Sequence, residues 1–364
     1  MNVGLIDADL LDNGTRHPNL ALLKISGYVK ECGDSTTLLT DYADISNYDQ
    51  IYISKVFSFT KVPDVLRRYP HIRIGGTGFF PEGDNALPVD IEHHMPDYQL
   101  YDDWVNNQVQ SGKRIENFKE YTDYSIGFTT RGCFRKCSFC VNKRYDKIFK
   151  HSPVHEFLDP KRPSIYLWDD NFLGFHGWQE ILDELELTNK PFQFRQGLDI
   201  RLLSAQKAKR LSQMRYKGDY IFAFDYIKDA ELIKEKLGLW RSFSGRSTKL
   251  YLLCGYESQD ELDIVNLLER IKILMKFKCL PYVMRHERYL KSPYRNMYTE
   301  IARWCNQPNI FKKMSFREFC EANQKYRKTD KICSSVRTLA DFEKKFPVIG
   351  RMYFDLRFDS SNNE

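Results

Sequence analysis

The chain has 364 residues, a formal net charge of +6, and 42% hydrophobic residues that include 25 Phe and 22 Tyr. This composition excludes a disordered chain, and no apolar run approaches the ~20 residues that a membrane-spanning helix needs. The first residues, MNVGLIDADLLDNG, lack the basic and apolar segments of a signal peptide, and nine cysteines without such a signal indicate a reducing compartment. We therefore expect a cytoplasmic protein without a membrane partner and, at ~150 residues per domain, about two domains.

The charge is distributed unevenly. Residues 1–123 contain 11 Lys and Arg against 19 Asp and Glu, whereas residues 124–364 contain 44 against 30, so the two parts carry −8 and +14. The shift predicts a domain boundary near residue 123. The basic part favours an anionic substrate, with a nucleotide or nucleic acid slightly preferred; the alternative is a solvated basic surface without a partner.

Residues 1–80 alternate between apolar runs and amphipathic segments. The alternation predicts a small doubly wound parallel sheet. The segment 81–123, rich in Asp, Pro and Asn over most of its length, is interpreted as an irregular linker or cover. The predicted strands are 1–9, 36–42, 50–59 and 71–80, and the predicted helices are 18–34, which Gly33 ends, and 63–69, which Pro63 opens.

Residues 124–290 contain six further apolar runs in series with amphipathic helices. They predict a partial (β/α)6 barrel, shorter than the usual eight units, and residues 291–364 then form a helical C-terminal cap. In such barrels the chemistry lies at the carboxyl ends of the strands. The predicted strands are 124–130, 164–170, 192–200, 219–227, 248–256 and 280–286, and the predicted helices are 178–187, 204–214, 229–240 and 261–277.

The most specific motif is TTRGCFRKCSFC at 129–140, in which Cys133, Cys137 and Cys140 are spaced C-x3-C-x2-C. Three thiolates on one loop can hold three irons of a 4Fe-4S cluster and leave the fourth iron open to a small molecule. The alternative is a structural zinc site whose fourth ligand comes from elsewhere. The position of the loop after the first barrel strand favours the cluster.

This motif, with the aromatic Phe139 before its last cysteine, resembles that of the radical SAM superfamily. The resemblance covers residues ~124–290 and implies an enzyme that binds S-adenosylmethionine at the open iron. It also implies reductive cleavage to a 5′-deoxyadenosyl radical, hydrogen abstraction from a substrate, and an electron donor such as flavodoxin or ferredoxin.

Other residues are assigned to S-adenosylmethionine by the same resemblance. WDDNF (168–172) is similar to the segment that contacts the methionine amino group, which implicates Asp169 and Asp170; the alternative is a turn or helix-capping pair. Arg195 resembles a carboxylate-binding residue, with an ion pair to Asp225 or Asp170 as its alternative. The remaining assignments are Asp225 near the ribose, Gly255 where the backbone approaches adenine, and Phe139 beside adenine or in the core.

Residues 1–80 resemble the cobalamin-binding-like domain that precedes many radical SAM barrels. The sequence contains no D-x-H-x-x-G, so a histidine beneath cobalt is not expected. Some family members bind cobalamin without that histidine, so cobalamin is compatible with the sequence but not favoured. Methylthiotransferase activity is disfavoured, because this part of the chain has only Cys32 and that reaction uses three more cysteines.

Positive charge is concentrated in two stretches of the basic part of the chain. Residues 131–150 hold seven Lys and Arg against one acid, and residues 281–330 hold eleven against five. The second stretch is interleaved with aromatics, which suits phosphate contacts and base stacking; the alternative is a cap whose aromatics form its core. These aromatics are Tyr282, Tyr289, Tyr294, Tyr298, Trp304 and Phe311.

The sequence thus predicts a radical SAM enzyme with a 4Fe-4S cluster that acts on an anionic substrate. Two alternatives stay open: a cobalamin-dependent radical SAM methyltransferase, and a nucleic-acid-binding protein with a structural metal. Five further cysteines lack the spacing of a second cluster and are interpreted as packing thiols, although the last three could converge. They are Cys254, Cys279, Cys305, Cys320 and Cys333.

Overall fold

A computed structural model describes residues 1–15, 17–81, 86–142, 144–325 and 331–358. The chain forms two compact units, 1–195 and 196–364. The strands are β1 Asn2–Asp7, β2 Ser35–Leu38, β3 Gln50–Ser54, β4 Ile72–Gly75, β5 Tyr124–Gly127, β6 Thr130–Arg131, β7 Phe149–Lys150, β8 Ser164–Leu167, β9 Phe192–Phe194, β10 Tyr220–Ala223, β11 Thr248–Cys254 and β12 Leu280–Arg285.

Helices account for most of the remaining regular structure. None of the described helices is long and apolar enough to cross a membrane. They are α1 Ala8–Asn13, α2 Leu20–Glu31, α3 Val89–Glu92, α4 Asp102–Gln110, α5 Lys119–Thr122, α6 Trp178–Leu187, α7 Ala205–Gln213, α8 Ala230–Phe243, α9 Glu261–Lys276, α10 Arg295–Cys305, α11 Pro308–Phe311, α12 Phe316–Lys325, α13 Ser334–Lys345 and α14 Pro347–Tyr353.

The first sheet of unit 1 is parallel, in the order β2-β1-β3-β4. Successive residues of β1 point to opposite faces, so Val3 and Leu5 enter one core while Ile6 enters another. Helix α2 covers the first face; Asn19 caps it, and Gly33 follows its end with φ +86°. The predicted parallel sheet with both faces covered is therefore confirmed.

The segment predicted as irregular belongs to this first core. Tyr98, Tyr101, Val105 and Tyr121 are buried with Val3 and Leu5, and Val105 lies on helix α4. The prediction of irregular structure is thus wrong for 102–110, because its polar composition suits a helix with a single buried stripe. Domain boundaries at residues 80, 123 and 290 stay predictions.

Asp7 makes the stability of this core depend on pH. Its carboxylate accepts hydrogen bonds from Tyr101 Oη at 2.8 Å and Leu10 N at 3.2 Å, and it is 2% exposed. Burial raises the pKa of Asp7 from 3.8 to about 6, against the opposing effect of the Tyr101 hydrogen bond. Because the folded state holds this proton more tightly, the protonated carboxyl contributes stability below about pH 4 that is lost as the pH rises through 6.

We therefore expect the free energy of unfolding of wild type to fall relative to that of Asp7→Asn by about 2 kcal/mol between pH 4 and pH 7. Urea titrations of both proteins across this range measure the difference. Parallel pH profiles for the two proteins would contradict the prediction.

The second sheet of unit 1 is parallel, in the order β5-β8-β9. It is tied to the cover segment by Arg162, whose guanidinium donates to the carbonyls of Tyr98, Tyr121 and Tyr124 at 2.7–3.0 Å. A short antiparallel hairpin of β6 and β7 follows β5, pairing Thr130 with Lys150. The hairpin closes the base of the loop that contains the three motif cysteines.

Unit 2 contains a third parallel sheet, in the order β10-β11-β12, flanked by α8 and α9. Helices α10 to α14 follow it and bury aromatic residues, among which Tyr298, Trp304 and Phe311 are at most 1% exposed. For these three residues the alternative to base stacking is correct. Tyr282 and Tyr289 differ, since Tyr282 is 39% exposed and Tyr289 lies beside the Arg285 guanidinium at 4.9 Å.

All six strands expected over 124–290 are present, in shorter form. They form two three-stranded parallel sheets, one in each unit, instead of one six-stranded sheet. The coarse prediction of an α/β chain with parallel sheets is confirmed, whereas the (β/α)6 barrel stays a prediction.

Candidate functional site

The cysteine loop begins with a glycine that the backbone requires. Gly132 has φ +90°, and a Cβ there would lie 2.2 Å from the carbonyl oxygen of Lys147. Its amide also donates to Asp170 Oδ2 at 2.7 Å. Gly132 thus brings the two sides of the loop together immediately before Cys133.

We expect Gly132→Ala to disrupt this loop, because a side chain would force apart two backbone segments at a positive φ. The substitution should lower the free energy of unfolding by about 1–3 kcal/mol and reduce the iron bound after reconstitution. Gly245→Ala is the control, since a Cβ at Gly245 meets no atom within 4 Å. Equal iron content in wild type and Gly132→Ala would contradict the prediction.

The three motif thiols are half-buried and lie close together. Cys140 N donates to Cys137 O at 3.0 Å, which closes a tight turn. Burial raises the pKa of the Cys140 thiol, and the neighbouring Cys137 and Cys133 raise it further. A bound cation would offset this effect at Cys140, because metal binding ionises a coordinating thiol.

Several N–H groups are directed at the motif sulfurs. Cys133 Sγ accepts from Arg135 N at 3.4 Å and from Asn171 Nδ2 at 3.3 Å, and Cys140 Sγ accepts from Asn142 N at 3.4 Å. Such donors stabilise negative sulfur and tune iron–sulfur clusters. In the described ranges, no three His, Cys, Asp or Glu side chains are arranged to hold a single metal ion. Three thiols with N–H donors at two of the sulfurs fit the chemistry of an iron–sulfur cluster.

Asn171 was not predicted from the sequence. Its side chain is 4% exposed, Nδ2 reaches Cys133, and Oδ1 is buried without a hydrogen-bond partner. The segment WDDNF indicates this role, because the amide of Asn171 is the one side chain there that can both donate a hydrogen bond to sulfur and accept one from another group.

We expect Asn171→Leu to lower the reduction potential of a cluster in this loop by about 50 mV, because it removes one hydrogen bond of about 1 kcal/mol to the sulfur. A redox titration followed by electron paramagnetic resonance measures this shift. Asn142→Leu is the control, since Asn142 donates to sulfur through its backbone amide. An unchanged potential in Asn171→Leu would contradict the prediction.

Asp169 and Asp170 both stabilise the start of the loop. Asp169 Oδ1 accepts from Thr129 Oγ1, Thr130 N and Thr130 Oγ1, each at 2.6 Å, and Oδ2 accepts from Thr129 N at 3.2 Å. Burial raises the pKa of Asp169 to about 6, although these hydrogen bonds lower it. Asp170 Oδ2 accepts from Gly132 N and lies 3.6 Å from Arg131 Nε. Their contact with S-adenosylmethionine stays a prediction.

Arg195 has a different ion-pair partner from the two considered. Its Nη2 lies 3.6 Å from Glu120 Oε1, and its guanidinium covers the Tyr166 ring at 4.5 Å. The side chain is 25% exposed. Phe139 is partly buried in the cysteine loop. Unit 1 thus brings the three cysteines together with Asp169 and Asp170.

Asp225 and Gly255 lie in unit 2. Gly255 has φ +72°, and its amide donates to Asp263 Oδ2 at 2.7 Å. Burial raises the pKa of Asp225 to about 6, although the nearby Arg270 lowers it. Asp225 lines a small cavity with Tyr226, Leu253, Asp263 and Arg270 at the carboxyl ends of β10 and β11.

Five of the six remaining cysteines are buried in unit 2. Cys254, Cys279, Cys305, Cys320 and Cys333 are all buried, in agreement with their interpretation as packing thiols. Of the seven basic residues predicted around the cysteine loop, Lys143 lies outside the described residues.

No protein-family model and no curated protein matches the sequence. Among solved structures, the chain is similar to the radical S-adenosylmethionine methyltransferase TsrM from Kitasatospora setae, solved with cobalamin and a [4Fe-4S] cluster bound. The identity is 11%, the TM-score is 0.50, and the match covers 78% of this chain and 74% of TsrM. The chain shares the fold of a radical SAM methyltransferase. The resemblance found in the sequence is therefore confirmed at the level of the fold.

A second similar structure is that of OxsB, a cobalamin-dependent S-adenosylmethionine radical enzyme, solved with aqua-cobalamin and S-adenosylmethionine bound. The identity is 13% and the TM-score is 0.35, with 95% of this chain and 61% of OxsB covered.

Proposed function

We propose that this protein is a cytoplasmic radical SAM enzyme that acts on an anionic substrate. The observation that carries the proposal is the group of three half-buried thiols, Cys133, Cys137 and Cys140, on a loop closed by a hairpin after β5. The N–H donors directed at two of these sulfurs and the shared fold support it.

The cysteines would hold a 4Fe-4S cluster, with Gly132 and Asp170 fixing the loop that presents them. When bound, the cluster supplies one electron for reductive cleavage of S-adenosylmethionine. Asp170 and Arg195 keep 17% and 25% of their side chains exposed and could bind its methionine part. Phe139 is proposed for its adenosine part, and Asp169, which also holds the loop through Thr129 and Thr130, for its methionine amino group. The assignments of Asp225 and Gly255, which lie in unit 2, stay predictions.

The surface of the cysteine loop suits an acidic electron donor such as flavodoxin or ferredoxin. Phe134 and Val141 are 43% and 78% exposed, and the exposed Lys136, Arg144 and Lys147 lie on the same loop. Exposed apolar residues among positive charges favour a protein partner of opposite charge, with rapid association. The excess charge of the basic part of the chain likewise supports an anionic substrate.

The deciding experiment is anaerobic reconstitution with iron and sulfide, followed by reduction with dithionite in the presence of S-adenosylmethionine. We expect the absorption of a 4Fe-4S cluster and the release of 5′-deoxyadenosine. If neither appears and the protein instead binds stoichiometric zinc, the nucleic-acid-binding protein with a structural metal becomes the better description.

A cobalamin-dependent radical SAM methyltransferase is the second candidate. The favouring observation is that TsrM, which shares this fold, is a methyltransferase with cobalamin bound. Reconstitution with cobalamin, removal of excess corrinoid and an absorption spectrum separate the two candidates. Retained corrinoid supports the methyltransferase, and its absence removes this candidate while leaving the radical SAM proposal intact.

A further inference from the structure

Basic and aromatic side chains are grouped at the carboxyl end of β12 in unit 2. The segment 281–295 contains four Lys and Arg residues against one acid, so its formal charge is +3. Arg285 ends β12, and Arg288 lies in the short helix Glu287–Lys291 that follows. Both arginines are exposed, and neither forms an ion pair with a carboxylate among the described residues. Their charge is therefore available to a ligand.

Each of these arginines is held against a tyrosine. The Arg285 guanidinium lies 4.9 Å from the centre of the Tyr289 ring, and its Nη1 donates to Tyr289 Oη at 3.2 Å and Thr299 Oγ1 at 3.0 Å. The Arg288 guanidinium lies 4.6 Å from the centre of the Tyr256 ring, and its Nη1 donates to Tyr256 O at 3.3 Å. In both arginines Nε and Nη2 form no hydrogen bond within the described part of the chain. Each guanidinium is thus oriented by one nitrogen and keeps two donors for an anion.

His286 connects the two arginine–tyrosine pairs into one surface. Its ring meets the Tyr256 ring edge-on with centroids 4.8 Å apart, and its Nδ1 accepts from Arg288 N at 3.3 Å. Its carbonyl oxygen accepts from Tyr289 N at 2.9 Å. Tyr256, Arg285, His286, Arg288 and Tyr289 are therefore contiguous, and we call them the β12 surface.

The chemistry of the β12 surface suits a single strand of nucleic acid. A guanidinium with two donors on one side matches the geometry of a phosphate, and one that lies on a tyrosine ring offers its other face to a base. Positive charge interleaved with aromatic rings is the combination that single-stranded nucleic acid requires. A protein interface would instead centre on apolar side chains, whereas every member of this surface carries a charge or a hydrogen-bonding group.

We propose that the β12 surface binds single-stranded nucleic acid, with phosphates on Arg285 and Arg288 and bases stacked on the guanidinium planes. The inference rests on the proposed function in one respect, because it takes the strand as the anionic substrate. A duplex is disfavoured, since its bases are stacked on one another and do not present their faces to the arginines.

The test is fluorescence anisotropy of a short labelled RNA or DNA strand titrated with the anaerobically reconstituted protein. We expect the affinity to fall with rising salt, and the matching duplex to bind at least about fivefold more weakly, as the loss of one stacked base implies. Unlabelled poly-L-glutamate is the competitor that represents an acidic protein. No binding of either strand, equal binding of the duplex, or displacement by poly-L-glutamate as effective as that by unlabelled strand would overturn the proposal.

Two substitutions test the arginines themselves. Arg285→Gln and Arg288→Gln should each weaken binding of the strand about tenfold, because each removes a hydrogen-bonded charge from a phosphate. Each should also reduce the slope of log affinity against log salt by about 0.7, the value for one phosphate of a single strand. Arg351→Gln is the matched control, since Arg351 is exposed on helix α14 and its loss changes the charge equally. Unchanged affinity and slope in both variants, with circular dichroism showing that they are folded, would contradict the proposal.

Strand binding and cluster assembly are measured separately, so the two proposals fail in different ways. A wild-type protein that forms the cluster and releases 5′-deoxyadenosine but binds no strand contradicts the β12 surface alone. A protein that binds the strand but forms no cluster supports the β12 surface and contradicts the proposed function.

Discussion

Replacing any one of Cys133, Cys137 or Cys140 with alanine will abolish the 4Fe-4S absorption and reduce 5′-deoxyadenosine formation to the protein-free background. The loop supplies three thiols, and no other described cysteine is placed to substitute for one of them, since the five in unit 2 are buried and Cys32 lies in the first sheet region. A cluster with only two protein ligands is not retained through purification. Iron and sulfide analysis, absorption spectra and chromatography of the nucleoside product measure the effect.

Cys32→Ala is the matched control, because Cys32 is exposed and ends helix α2. It should retain wild-type iron content and 5′-deoxyadenosine release. A Cys137→Ala protein that still forms the cluster and cleaves S-adenosylmethionine would show that the motif does not hold the cluster.

Elements of the fold were predictable where residues close together in sequence determine the structure, as in helices and their caps. Helix α2 was predicted because apolar spacing and Gly33 define it. Helix α7 was predicted over 204–214, and Ser204 caps it, since its hydroxyl accepts from Lys207 N at 3.3 Å. The cysteine motif was equally recognisable, since its spacing is a property of one loop.

Predicted strands were too long where a distant residue redirects the chain. The apolar run 50–59 is a strand only over Gln50–Ser54. Beyond it, Val56 N donates to Asp9 Oδ2 at 2.6 Å and Lys55 Nζ donates to Thr60 O at 2.9 Å, which turns the chain back. Period-two alternation in VFSF does not reveal this turn, because the partner carboxylate is some 47 residues away in sequence.

The site was predictable in the same unequal way. The three clustered cysteines follow from one motif, whereas the contact of Asn171 with Cys133 joins residues 38 positions apart. Sequence alone also did not distinguish the surroundings of the two neighbouring carboxylates. Asp169 and Asp170 were assigned together, and the structure gives them different environments.

Asp169 is the residue whose loss we expect to destabilise unit 1 most. Its carboxylate accepts four hydrogen bonds from Thr129, which connects β5 to the hairpin, and from Thr130, the first residue of the hairpin. Asp169→Ala leaves two backbone N–H groups and two hydroxyls without this acceptor in a site that is 4% exposed. The relief from burying a charge offsets part of the loss, since burial holds the pKa of Asp169 near 6.

We therefore expect Asp169→Ala to lower the free energy of unfolding by about 3 kcal/mol, because each unsatisfied buried donor costs about 1–3 kcal/mol and the hydroxyls can reorient. Urea denaturation of the metal-free protein measures this without the cluster. Asp146→Ala is the control: that side chain is 86% exposed on the cysteine loop, where an ion pair contributes little. A change below about 0.5 kcal/mol in Asp169→Ala, as expected for a surface substitution, would show that the carboxylate does not hold the loop.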